Sequence, residues 1–174
     1  MKVIAFAASS SKQSINKQLV SYAAHLVENA EVEILDLNDY ELPLFSVDKE
    51  AELGQPALAK AFLEKLASAD ALVISFAEHN GNYSAAWKNL FDWCSRIEPK
   101  VFQKKPVILL STSPGDRGGA SVLEIAVNSV PRFAADIRGS MSIPAFYDNF
   151  DQESQQLVNP ALDQQLRELM TKLV

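Results

Sequence analysis

Three nearly continuous apolar runs, each released into a polar loop that leads to a helical pattern, constrain this chain more than any other feature of its sequence. They are Val3-Ile4-Ala5-Phe6-Ala7, Ala71-Leu72-Val73-Ile74-Ser75-Phe76 and Val107-Ile108-Leu109-Leu110, the last opened by Pro106. A strand that is apolar on both faces needs helices on both sides, and that is the arrangement of a parallel sheet. Between the runs lie helical periodicities. Ile15, Leu19, Tyr22, Ala23 and Leu26 recur at helical spacing, a second helix is expected from Pro56 to Leu66, and a third over Tyr83–Ile97. A fourth is expected from about Ala120 to Ala134. Asn159-Pro160, an N-cap followed by proline at the first helical position, opens a last one carrying Leu162, Leu166, Leu169 and Leu173.

Two further strands complete the pattern: Glu31–Leu37, which alternates, and the weaker Asp136–Ile143. Asp39–Gln55, with Pro43 and Gly54, reads as an irregular connection. The order of elements predicts an α/β fold with a five-stranded parallel sheet flanked by helices on both faces. The 174 residues fit one domain, 1–174. In such sheets ligands bind outside the carboxyl ends of the strands, where strand order reverses. The loops leaving the central strands are Ala8–Asn16, Ala77–Asn82 and Ser111–Gly119.

Charge and composition narrow the classes. The net charge is −6 and no stretch concentrates Lys and Arg, so neither a nucleic acid nor an anionic membrane is an expected partner. No apolar run reaches membrane-spanning length, and Val3–Ala8 is too short and too quickly followed by serines for a signal peptide. The single cysteine, Cys94, makes neither an internal disulfide nor a metal cluster. A cytoplasmic protein without a bound metal is the expectation.

The first loop gathers Ser9, Ser10, Ser11, Ser14 and Asn16 at the N-terminus of a helix, where free N–H groups and the helix dipole suit a phosphate. Its plain alternative is a serine-rich turn with Ser14 as N-cap. The first glycine of the chain is Gly54, so this is neither a Walker A loop nor a dinucleotide fingerprint. The loop lacks the cysteine of a low-molecular-weight tyrosine phosphatase, and no acidic cluster marks a phospho-acceptor receiver. The third loop holds Gly115, Gly118 and Gly119, three of the six glycines. Backbone N–H groups in such a loop can approach a flat ligand, although a flexible turn would read the same way.

The second loop and its helix, Ala77-Glu78-His79-Asn80-Gly81-Asn82 through Lys88-Asn89-Leu90-Phe91-Asp92-Trp93, resemble the NADPH-dependent FMN reductase family. Members of that family carry a P-E-Y-N-G-S loop and a helix reading L-K-N-x-x-D-W. The first loop is similar to the family's G-S-x-R-x-x-S-x-N through Ser9, Ser14 and Asn16, and the third to its S-P-G-x-x-G-G through Ser113, Pro114, Gly115, Gly118 and Gly119.

The resemblance implies a flavodoxin-like domain that binds FMN. Ser9, Ser11, Ser14, Ile15 and Asn16 would hold the phosphate. Glu78, His79, Asn80 and Gly81 would line one edge of the isoalloxazine, with Ser113, Gly115, Arg117, Gly118 and Gly119 at its other side. It also implies a homodimer or homotetramer. The chain departs from the family at Ala8 (glycine), Ser11 (the arginine at the phosphate), Ala77 (proline) and His79 (tyrosine). Without the arginine a charge-assisted contact is lost, which predicts a weaker hold on FMN.

Other residues divide between ordinary and functional readings. Tyr83, Trp87, Leu90 and Cys94 form one stripe that Ala86, Trp93 and Phe91 widen, which suggests deep burial or, the reading preferred on sequence alone, a surface for a partner chain. Cys94 reads as a buried small hydrophobe, His25 as structural, and Lys88 with Asp92 as an exposed pair. His79 and Arg117 read as ligand-facing.

The activity implied is hydride transfer from NADPH or NADH through FMN to a small acceptor: a quinone, azo compound, metal oxyanion or free flavin. No catalytic acid or base is expected from the protein. The alternatives are a flavodoxin-like one-electron carrier and a non-catalytic flavin-binding protein.

Overall fold

The computed structural model describes residues 1–173. Five parallel strands form the sheet: β1 (Lys2–Ala8), β2 (Glu31–Leu35), β3 (Ala71–Phe76), β6 (Pro106–Thr112) and β7 (Asp136–Ile143). Their spatial order is β2-β1-β3-β6-β7, and every neighbouring pair is parallel. The chain winds outward from β1 to β2, then crosses back over β1 to β3. The order therefore reverses between β1 and β3, which is the flavodoxin-like switch point.

Side-chain alternation along β1 divides the core in two. Ile4, Phe6 and Ala8 face one layer, against α3 (Ala57–Ser68), α4 (Ala85–Ile97) and α5 (Ala120–Ser129). Val3 and Ala5 face the other, against α1 (Ile15–His25) and α7 (Pro160–Met170). All six residues of β3 are buried, as the apolar run requires.

Expected and observed elements differ where a short-range signal overrode periodicity. The strand expected over Glu31–Leu37 ends at Leu35, a 3-10 turn follows at Leu37–Tyr40, and the rest of the Asp39–Gln55 connection holds a helix, α2 (Val47–Leu53), that buries none of its residues. Tyr83 lies before α4, in a two-residue hairpin of β4 (Glu78–His79) and β5 (Asn82–Tyr83). Asn80 and Gly81 take φ of 53° and 74° at its tip, the left-handed pair that a two-residue hairpin loop demands. The helix expected over Ala120–Ala134 ends at Ser129 and gives way to a 3-10 turn over Val130–Phe133. Beyond β7 a short helix, α6 (Phe146–Asn149), and a small ladder of β8 (Phe150–Asp151) with β9 (Gln156–Leu157) lead to α7.

Much of the broad apolar arc of α4 is filled from within the chain, while its Tyr83 and Phe91 flank stays partly exposed. Trp87, Leu90, Trp93 and Cys94 are buried. Trp87 packs on Phe6 and Phe76, and Phe91 meets Phe133 edge-on at 4.6 Å. Cys94 is indeed an interior residue, and burial pushes its thiol up to about 12.

The helix motif acts as a clamp. Asn89 Nδ2 donates to the carbonyls of Leu42 and Pro43, its Oδ1 accepts the Phe45 N–H at 2.8 Å, and Trp93 Nε1 donates to Pro43 O at 2.8 Å. Lys88 and Asp92, by contrast, form an exposed ion pair one turn apart.

Candidate functional site

At the carboxyl ends of β1, β3 and β6, a cleft of about 240 Å³ opens between the three loops. The first loop contributes Ser9, Ser11, Gln13, Ser14, Ile15 and Asn16. The second contributes Ala77, Glu78 and His79, and the third Thr112, Ser113 and Pro114. The loop after β7 adds Tyr147. The cleft is smaller than the roughly 300–1,000 Å³ of pockets that enclose a drug-sized ligand, so a larger ligand would keep one face open.

Local chemistry builds the first wall. Ser14 is the N-cap of α1, with Oγ accepting the Lys17 N–H at 3.2 Å, and Ser9 Oγ accepts the Ser11 N–H at 3.2 Å. The N–H groups of Ile15 and Asn16, in the first turn of α1, have no acceptor among the described residues. Two free donors, several hydroxyls and the positive end of a helix dipole, with no carboxylate in the loop, fit a phosphate. The phosphate group of FMN meets this test.

Asn16 has a second task that the sequence did not disclose. Its buried amide ties the ends of β3 and β6 to the start of α1. Oδ1 accepts the Ser75 hydroxyl at 2.7 Å and the Thr112 N–H at 3.0 Å, while Nδ2 donates to Thr112 O at 3.1 Å. Its backbone N–H remains without an acceptor among the described residues and faces the phosphate end of the cleft. Ser84 makes a parallel brace: it caps α4 and donates its hydroxyl to Ala8 O at 2.8 Å.

In the second loop, His79 is exposed on the cleft. Glu78 also lines it, but its carboxylate accepts the Val122 N–H at 2.9 Å. The hairpin tip, Asn80 and Gly81, is exposed and does not border the cleft.

In the third loop, Ser113 borders the cleft and the remaining expected residues stand behind it. Arg117 Nη2 donates to Ser121 Oγ at 2.6 Å. Gly118 lies against β7: a Cβ there would sit 2.5 Å from Ser142 Oγ and 2.6 Å from Ile143 O, and its φ is +57°. Its carbonyl accepts the hydroxyls of both Ser111 and Ser142. Gly119 is the N-cap of α5, with no side chain to cap it. Gly115, Arg117, Gly118 and Gly119 lie in the third loop outside the lining of this 240 Å³ cleft.

Sequence reasoning did not assign Gln13, Ala77, Thr112, Pro114 or Tyr147 to the site. The first four lie inside the loops it had marked. Tyr147 comes near them only through the topology, since α6 follows the edge strand β7.

A larger hollow of about 420 Å³ lies beyond Ser10, between the Leu37–Leu44 segment and α4. It borders the clamp and none of the free N–H donors of α1, so its size does not make it the stronger candidate. Among the described residues no group of three His, Cys, Asp or Glu side chains forms a metal site, and no helix is long and apolar enough to cross a membrane.

Known proteins resemble this chain in sequence and in fold. An NADPH:quinone oxidoreductase of Arabidopsis thaliana is 33% identical over 125 residues, covering 70% of this chain and 62% of that one. An NAD(P)H-dependent FMN reductase of Pseudomonas aeruginosa is 32% identical over 121 residues, covering 69% and 64%. The matched stretch thus spans less than two thirds of either enzyme. Among solved structures, the flavoenzyme FerB of Paracoccus denitrificans, an NAD(P)H:(acceptor) oxidoreductase, superimposes with a TM-score of 0.77 at 22% identity, over 99% of this chain and 94% of that one. At that identity the likeness speaks for the fold. Residues 1–148 match the model of the NADPH-dependent FMN reductase family, and the chain belongs to that family.

Proposed function

We propose that this chain is a single-domain NAD(P)H-dependent FMN oxidoreductase that reduces a small acceptor: a quinone, azo compound, metal oxyanion or free flavin. The observation that carries the reading is the pair of free N–H donors, Ile15 and Asn16, among serine hydroxyls at the switch point of a sheet whose family reduces FMN. When bound, FMN supplies the relay that accepts hydride from the nicotinamide and returns it to the acceptor.

The residues of this chain bind and orient. Ser9, Ser11, Ser14 and the N–H groups of Ile15 and Asn16 hold the phosphate without a formal cation in the loop position of the family arginine. Glu78, His79 and Ser113 border the ring-binding part of the cleft. Asn80 and Gly81 on one side, and Gly115, Arg117, Gly118 and Gly119 on the other, set the course of these loops and flank the part of the ring that extends beyond the cleft. The open face of the cleft gives nicotinamide and acceptor one shared approach, which supports alternating use of the site by the two substrates.

We propose further that the protein works in the cytoplasm as a homodimer or homotetramer. A shallow groove of about 220 Å³ lined by Tyr83, Phe91 and Phe133 supports the oligomer, since it leaves apolar surface for a second chain to cover.

The test is a visible absorption titration of the purified protein with FMN, then with NADPH under anaerobic conditions. Saturable binding followed by bleaching is expected. Binding without bleaching would point to an electron carrier, and no binding would end the flavin reading.

A further inference from the structure

We propose that Tyr147 is a fourth wall of the cofactor cleft, its phenol ring packing against bound FMN. The inference rests on the reading of the cleft given above.

Tyr147 is 60% exposed, yet it borders the same cleft as Ser11, Ser14, His79 and Pro114. Its mount is rigid. The Ala145 N–H donates to Gly115 O at 2.9 Å and the Phe146 N–H to Ser113 O at 3.0 Å, so the loop after β7 is bonded directly to the third loop. Asn149 Nδ2 donates back to Pro144 O at 2.8 Å and closes the turn. Phe146 is buried and stacks on Phe150, with ring centroids 4.8 Å apart.

Ala145 holds a left-handed φ of 43° to bring the chain around, a conformation that disfavours a Cβ. Backbone strain of this kind persists only where the surroundings enforce it, and it gathers at ligand sites. Here it delivers one large aromatic side chain to the rim of the cleft. The Tyr147 hydroxyl has no hydrogen-bond partner among the described residues, and its ring meets Phe146 edge-on with centroids 5.4 Å apart, which leaves its outer face open to a ligand. A rigidly based, solvent-exposed ring beside a site for a flat aromatic ligand gains surface burial only when that ligand arrives. The cleft itself is too small to enclose FMN, and Tyr147 extends its wall on the side of the first and third loops.

The experiment is a flavin-fluorescence titration of apo protein with FMN for the wild type, Tyr147→Ala and Tyr147→Phe, with thermal melts of all three. Tyr147 is exposed, so unchanged melts are expected. Loss of the ring in Tyr147→Ala should raise the FMN dissociation constant about five- to ten-fold, whereas Tyr147→Phe should stay within about two-fold. Bound FMN should also be brighter in Tyr147→Ala, because a contacting phenol quenches flavin emission. The proposal is overturned if Tyr147→Ala binds as the wild type does, or if Tyr147→Phe is as weak as Tyr147→Ala, which would assign the contact to the hydroxyl. A wild type that binds no FMN would instead overturn the reading of the cleft itself.

Discussion

Glu78 and Val122, 44 positions apart in the chain, are joined by a 2.9 Å hydrogen bond from the backbone N–H of Val122 to the carboxylate of Glu78. The N-cap of α5 is Gly119, which has no side chain to give. Glu78 supplies the missing acceptor from another loop, and its negative charge meets the positive end of the α5 dipole. The second and third loops are thereby coupled through one carboxylate.

Removing that acceptor should register as the loss of a helix cap. Glu78→Ala is expected to destabilise the protein by about 1 kcal/mol. Glu78→Gln, which keeps an acceptor, should lose less. Urea unfolding of both variants checks this, and equal losses would mean that the charge and not the hydrogen bond matters.

Asn16 is the costliest polar residue to truncate. Asn16→Ala leaves the buried Ser75 hydroxyl and both main-chain groups of Thr112 without their partner. The expected loss is about 3 kcal/mol. A measured change in unfolding free energy below about 1 kcal/mol would show that the brace is dispensable.

Two glycines with similar backbone angles should behave differently. Gly81 has φ of +74° but nothing within 4 Å of a would-be Cβ, so Gly81→Ala is expected to cost only the conformational penalty, about 1 kcal/mol. Gly118→Ala adds overlaps with Ser142 and Ile143 at 2.5 and 2.6 Å. Its destabilisation should exceed that of Gly81→Ala by at least about 1 kcal/mol, as read from thermal melts.

Cys94 should resist thiol reagents while the chain is folded. It is buried, and burial pushes its thiol up to about 12, leaving almost no thiolate near neutral pH. Labelling with a chromogenic disulfide at pH 8 is expected to be complete in denaturant and negligible in native buffer. Rapid native labelling would contradict the interior placement.

Acid should reveal Asp36. The Lys17 ammonium, in a 2.5 Å contact, holds its carboxyl below the usual range against the opposing effect of burial. A depressed carboxyl stabilises the fold at pH values above its unfolded pKa, and the contribution is lost as pH falls through the folded value. Asp36→Asn should therefore lower stability at neutral pH by no more than about 1 kcal/mol, because the pair is partly exposed. The gap to wild type should close below about pH 4. A difference that persists at pH 2.5 would show that the ion pair with Lys17 does not carry the effect, since asparagine keeps the acceptor that caps the Leu37–Tyr40 turn.

The sheet was legible because burial on both faces leaves no room for polar residues, so β1, β3 and β6 announce themselves as apolar runs. Helix α2 was not, because a helix that buries nothing has no apolar stripe to read. Tyr83 fell on the wrong side of the α4 boundary because aromatic spacing was weighed above the Asn80-Gly81 turn signal. The three loops of the cleft were visible as motifs, but motif matching does not say which atoms face a ligand. It could not show that the amide of Asn16 is already engaged, that Gly118 packs on a strand, or that Tyr147 arrives from the far edge.

The clamp on α4 reads main chain only. Asn89 and Trp93 bond to the carbonyls of Leu42 and Pro43 and to the N–H of Phe45, while Leu44 between them is 81% exposed. Such recognition is blind to side-chain identity at 44, while Leu42 packs its side chain on the core and Phe45 keeps a ring to meet Trp93. The path of this segment is inherited through the helix, and its lettering at 44 is left free to drift.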